Sequence, residues 1–185
     1  MHRFLLAVTV CLAPLWGSGE LSNRRAPGFS LPDVNIKQHD LADYRGKIVV
    51  LEIMLSSCAH CVKFAPVLEQ ISQKYAGRVQ VLSIVNPPDT TGTVGKFVRD
   101  HGLSYPVLFD CGQAAGSYMM ATPQKPSFDI PHVFLIDQAG IIKNDFGYGV
   151  LTLEFFEGRG LFNEVEKLLG APGGGAPAKK PPAKK

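Results

Sequence analysis

The sequence predicts an α/β domain with a mixed central sheet, helices on both faces and an extended segment in front. Three observations lead there. The run from Ile48 to Leu55 is almost continuously apolar and rich in β-branched residues, as expected of a strand buried on both faces. Stretches with strand and helix patterns alternate after it. Near the end, two apolar runs flank the tight turn Ala139-Gly140, which makes the second the antiparallel mate of the first.

In chain order, Met1 to Gly19 places His2 and Arg3 before an apolar segment, Phe4 to Trp16, and closes on Gly17, Ser18 and Gly19. Residues 1–19 therefore read as a secretory signal peptide, too short for a stable membrane span. Cys11 lies within it and takes no role. Residues 20–26 read as a linker and 27–170 as the folded domain. Pro27, Phe29, Leu31, Pro32 and Val34 suggest an extended leader packed on the core, and Asp40 to Gly46 a short helical turn before the central strand.

Ala59 to Tyr75 carries apolar residues at helical spacing through Pro66, which is expected to kink the helix without ending it. Val79 to Val85 is a second buried strand, and Asn86 to Gly92 a turn-rich loop. Val94 to His101 forms a helix closed by Gly102. Tyr105 to Phe109 is a short strand, with Asp110 placed to cap a helix from Gly112 to about Met120. The polar loop 121–129 delivers the chain to a strand over Ile130 to Asp137. Ile141 to Phe146 is its mate, and Leu161 to Leu169 the closing amphipathic helix. Residues 171–185, built from Gly, Pro, Ala and Lys, read as a disordered tail.

That tail dominates the charge. The chain has 19 basic and 16 acidic residues, and setting aside Arg3 and the four tail lysines leaves 14 against 16. A slightly acidic domain gives no support for a nucleic-acid partner.

Chemistry concentrates at Cys58-Ala59-His60-Cys61, where the central strand hands over to a helix. A cysteine in the first turn meets unpaired N–H groups and the positive end of the helix dipole, both of which favour a thiolate. Two cysteines three residues apart can close a disulfide, and in an exported protein that disulfide persists. Glu52 interrupts the central strand six residues before Cys58. Either it faces solvent at a sheet edge or pairs with a lysine, or it is a buried proton acceptor beneath the pair, raised in pKa by desolvation. Cys111 has no obvious mate: it is expected to be a buried structural thiol, with pairing to another chain or a regulatory disulfide as the other reading.

Taken together, Ala26 to Asp33, Leu41 with Arg45-Gly46-Lys47, Cys58-x-x-Cys61, Pro66, and Ile130-Pro131 with Phe134 to Asp137 and Gly140 form a specific ordered set. The chain resembles the thioredoxin-like redoxin superfamily, related to AhpC/TSA proteins, and within it the exported thiol–disulfide oxidoreductases of the TlpA/ResA type. The resemblance implies a thioredoxin-like fold and a cis Pro131 beside the cysteines, shaping a groove in which the Ile130 backbone pairs with an extended substrate segment. It also implies that Glu52 is the buried acid.

Two departures bear on the site. Ser57 stands where relatives commonly have Trp, making the rim smaller and more polar. His60 lies between the cysteines as in strongly oxidising enzymes of the superfamily, although the surrounding frame favours a reductase. His132, just past Pro131, could face the site or point into solvent.

The expected activity is thiol–disulfide exchange with exported client proteins, the reductive direction favoured, without a cofactor. Its partners are thiol- or disulfide-bearing clients and a separate electron donor or acceptor, for which a membrane protein is one candidate. Sequence leaves the oligomeric state open. Two other functions compete. A thiol peroxidase would resemble its relatives in a Pro-x-x-x-Thr/Ser-x-x-Cys loop, but seven positions before Cys58 stands Leu51. A copper-binding module could gather Cys58 and Cys61 with His60 or His132, and a non-catalytic partner-binding domain is the plainer alternative. Haem attachment would need a Cys-x-x-Cys-His order that is absent here.

Overall fold

Every residue from Ile48 to Met54 is buried, because this strand is paired on both sides and covered on both faces. The computed structural model describes residues 19–170. In chain order the strands are β1 (Arg24–Arg25), β2 (Ser30–Pro32), β3 (Gln38–Asp40), β4 (Ile48–Met54), β5 (Val79–Val85), β6 (Val107–Phe109), β7 (His132–Ile136) and β8 (Ile141–Gly147). The helices are α1 (Ala59–Lys74), α2 (Thr91–His101), α3 (Gln113–Tyr118), α4 (Leu153–Phe156) and α5 (Arg159–Gly170). The main sheet runs β1-β8-β7-β4-β5-β6, and β2 and β3 form a separate hairpin. β4 is parallel to β5 and antiparallel to β7, so the expected mixed sheet with an N-terminal hairpin is observed.

Side chains alternate across a strand, and the two faces carry different cores. Ile48, Val50 and Met54 of β4 pack with Val81, Val85, Val133 and Leu135 under α1, α2, α4 and α5. Val49, Leu51 and Ile53 pack with Leu82, Ile84, Phe134 and Ile136 against α3 and the hairpin residues Phe29 and Leu41. The expected thioredoxin-like arrangement of helices on both faces follows.

Local chemistry sets the ends of these elements. Thr90 accepts from the Thr93 amide while the Thr93 hydroxyl accepts from the Thr90 amide, a reciprocal cap that starts α2 three residues before Val94. Gly102 closes it at φ 60°. Asp110 lies two residues before the Gly112 cap, yet its Oδ2 still accepts from the Ala115 amide at 2.8 Å. The helix α1 continues through Pro66 to Lys74.

Three expectations change. Residues 20–26 are more than a linker: Arg24 and Arg25 pair with Ile142 and Ile141 as an edge strand, and Ala26 is buried. Residues 150–156, unassigned from sequence, form a short 3-10 turn and α4, whose Phe155 and Phe156 pack on Phe64 of α1. Ile130 and Pro131 stand outside the β7 ladder, which begins at His132. The signal-peptide and tail assignments fall, Gly19 excepted, outside the described residues.

Candidate active site

The end of β4 and the start of α1 bring the cysteines together. Cys58 is the N-cap of α1, and its Sγ accepts from the Cys61 amide at 3.3 Å. Cys58 and Cys61 form a disulfide with their Cα atoms 5.2 Å apart. Cys58 is partly exposed, whereas Cys61 is fully buried. That asymmetry leaves Cys58 as the sulfur an outside group can reach.

Ser57, in the turn before α1, and His60, in the first turn of α1, are both exposed. The His60 ring stacks on Tyr148 with centroids 3.9 Å apart and planes at 24°. Tyr148, just after β8, donates its amide to the Pro131 carbonyl at 3.1 Å. The cis-proline segment and the cysteine loop are thereby joined through one aromatic residue. The Ile130–Pro131 bond is cis, as the resemblance implied. Pro131 is buried and Ile130 partly so.

A second anchor comes from the β5–α2 loop. Ser56 donates its amide to Asp89 Oδ2 at 2.8 Å and its hydroxyl to Oδ1, and Thr93 donates to the same carboxylate at 2.9 Å. Asp89 follows a second cis bond, Pro87–Pro88. Sequence reasoning missed Asp89 and Tyr148. The Pro-Pro-Asp turn was a signal for the first; nothing local marked the second.

Glu52 lies on the face that carries Cys61, because it shares its side of β4 with Val50 and Met54. Its relative exposure is 0%, which rules out the solvent-facing reading, and no lysine is paired with it among the described residues. Ser83, directly across on β5, donates to Oε2 at 2.6 Å. Oε1 has no hydrogen-bond partner among the described residues. Burial pushes this carboxyl up to about 7, against which the Ser83 hydrogen bond pulls only partway down.

His132 does not point into solvent. It sits on the opposite face, beside Phe134 at 4.8 Å between ring centroids, and is buried. Its Nε2 lies 3.1 Å from Asp145 Oδ2. Asp145 also accepts from the Ser22 hydroxyl at 2.5 Å and the Leu21 amide at 3.1 Å. Burial pushes the Asp145 carboxyl up, but these hydrogen bonds, His132 first, outweigh it and hold the carboxyl below its ordinary value. Cys111 is exposed and unpaired, not a buried thiol.

No group of three or more His, Cys, Asp and Glu placed to hold a metal occurs among the described residues. His132 does not join the cysteines, so the copper-binding set expected with it is not assembled. A cavity of about 580 Å³ bounded by Phe128, Asp129, His132 and Tyr148 adjoins the cis-proline segment. A larger cleft of about 990 Å³ between β8, α4 and α5 has no residue of the cysteine loop in its wall.

A two-cysteine couple at a helix start, one sulfur reachable and the other buried on the sheet face that carries an acid, defines a thioredoxin-like thiol–disulfide oxidoreductase. The chain belongs to the AhpC/TSA family, whose profile matches residues 23–145. It is 30% identical to the thiol-disulfide oxidoreductase ResA of Bacillus thuringiensis over 136 residues, covering 73% of this chain and 74% of the relative. It is also 30% identical to the ResA of Geobacillus kaustophilus over 133 residues, 71% and 72% of the two chains. Among solved structures, a Chlorobium tepidum chain provisionally assigned as the thiol:disulfide interchange protein DsbE superposes with a TM-score of 0.67 at 27% identity, covering 80% of this chain and 98% of that one.

Proposed function

We propose that the protein exchanges electrons between the Cys58–Cys61 couple and cysteines of exported client proteins, working as a reductase. The observation that carries this reading is the buried Glu52 on the Cys61 side of the sheet. An acid raised to about 7 can take a proton near neutrality, which is what a buried thiol needs before it can attack.

The step proceeds from the reduced couple. The Cys58 thiolate attacks a client disulfide, forming a Cys58–client S–S bond and releasing one client sulfur as a thiolate. Cys61 then gives its proton to Glu52, and its sulfur attacks Cys58. The Cys58–Cys61 bond forms, the Cys58–client bond breaks, and the second client sulfur leaves as a thiolate that takes up a proton. Two electrons pass to the client, and a separate donor must return them. In the groove shaped by the cis Pro131, the Ile130 backbone pairs with the client segment, with Ser57 and His60 at its rim. His132, bonded to Asp145 on the other face, is given no part.

Relatives named thiol-disulfide oxidoreductases support the chemistry, and the basic start followed by the apolar segment at residues 4–16 supports export. Peroxide chemistry gains no support, since Leu51 stands buried in β4 where the peroxidase loop requires proline.

The test is the equilibrium reduction potential of the couple in a Cys111→Ser background. A value near that of thioredoxin, about −270 mV, supports a reductase, and one near about −120 mV assigns the opposite direction and gives His60 the deciding role. A Cys61→Ser variant should accumulate the client-linked form, and failure to trap any would remove the exchange reading.

A further inference from the structure

The proton acceptor does not stand alone. Strand register sets Glu52 opposite Ser83, and Ser83 opposite Val107 on β6. The Ser83 amide donates to the Pro106 carbonyl at 3.1 Å, which brings the neighbouring Tyr105 to the same face of the sheet, in the core that contains Cys61. Tyr105 is 3% exposed, and its hydroxyl, like Glu52 Oε1, has no hydrogen-bond partner among the described residues. Two buried polar atoms without partners in one apolar core are costly, and the Ser83 hydroxyl, which donates to Glu52 Oε2, also acts on the Tyr105 phenol.

The placement of Tyr105 is itself enforced. Glu69 of α1 accepts from the Ser104 amide at 2.8 Å and from the Ser104 hydroxyl at 2.7 Å. The helix that presents Cys61 is thus clamped to the residue before Tyr105. Across from Glu52, β5 contributes Ser83 and β7 contributes Val133, and the core on that face also holds Cys61 of α1 and Tyr105 ahead of β6. Of the two carboxylates, Glu69 is committed to Ser104 and Gln73. Only Glu52 has an oxygen to spare.

We propose that Ser83 and Tyr105 are positioning residues for Glu52, forming with it one buried unit that sets the pH at which Cys61 can be deprotonated. Ser83 commits Oε2 and leaves Oε1 to exchange the proton. Tyr105 supplies a phenol that keeps its own proton and lies beside the Ser83 hydroxyl, through which its O–H dipole acts on the ionised carboxylate. Burial first, and the charge of Glu52 second, raise the phenol well above its ordinary value, so it stays a donor throughout. The inference rests on the proton-acceptor role of Glu52 proposed above.

The experiment follows the Glu52 carboxyl carbon by NMR across pH in the oxidised protein. In parallel it follows release of thionitrobenzoate from a Cys58–thionitrobenzoate mixed disulfide, all in Cys111→Ser. Ser83→Ala is expected to raise the Glu52 midpoint by about one pH unit, and Tyr105→Phe to raise it by less, because the first removes the donor to the ionised form and the second only a dipole acting through it. The release profile should move with the midpoint. If both variants fold and neither moves the midpoint or the profile while Glu52→Gln slows release, the unit is overturned and Glu52 keeps its role. If Glu52→Gln leaves release unchanged, the role of Glu52 falls and the unit with it.

Discussion

Two buried carboxylates on opposite faces of one sheet have opposite fates. Glu52, under α1, receives one side-chain hydrogen bond and is pushed up to about 7. Asp145, on β8, receives three, from Ser22, Leu21 and His132, and is held below its ordinary value. Glu52 also lies deeper, at 0% exposure against 8%. Depth and the number of donors together separate an acid that can trade protons from one that fixes structure.

The largest expected effect comes from breaking the second arrangement. Asp145→Ala strands three donors and frees His132, and should cost about 3 kcal/mol in urea unfolding near neutral pH. Breaking the first should do the reverse. A raised carboxyl contributes stability that is present below its unfolded value and lost as pH rises through the folded one. Glu52→Gln should therefore stabilise the protein by about 2 kcal/mol at about pH 8, with little change near pH 4, even as it slows client release.

The wild-type pH profile sharpens the contrast. Stability should fall as pH climbs from 4.5 towards about 7, through Glu52. It should fall again as pH drops below 3.8, through Asp145, whose lowered carboxyl stabilises only while ionised. Asp145→Asn should make the acid limb shallower, with Asp33 and Glu69, also held below their ordinary values, keeping the rest of it, and should leave the limb towards about 7 unchanged. Cys111→Ser, at an exposed residue outside both pockets, should shift stability by less than about 0.5 kcal/mol.

Much of this was legible in the sequence. The β-branched run of β4, the strand of β5 and the cysteines at a helix start follow from periodicity, and Glu52 is conspicuous as a charge within an apolar strand. The cis Pro131 was legible only through the family resemblance. The side taken by His132 was not, because β7 is buried on both faces and its apolar pattern carries no phase. The β1 strand was hidden because two arginines pair through backbone alone. A four-residue helix such as α4 is too short to show a period. The exposure of Cys111 depends on a turn at Gly112, with φ 100°, that no residue pattern announced.

The sulfur proposed to react is also the atom that closes the first turn of α1. Each change of bonding at Cys58 therefore alters the partner of the Cys61 amide. Hydrogen exchange at that single N–H should register whether the protein is oxidised, reduced or joined to a client, with no label attached to either molecule. Protection should be greatest for the thiolate, whose negative charge lies where the helix dipole is most positive.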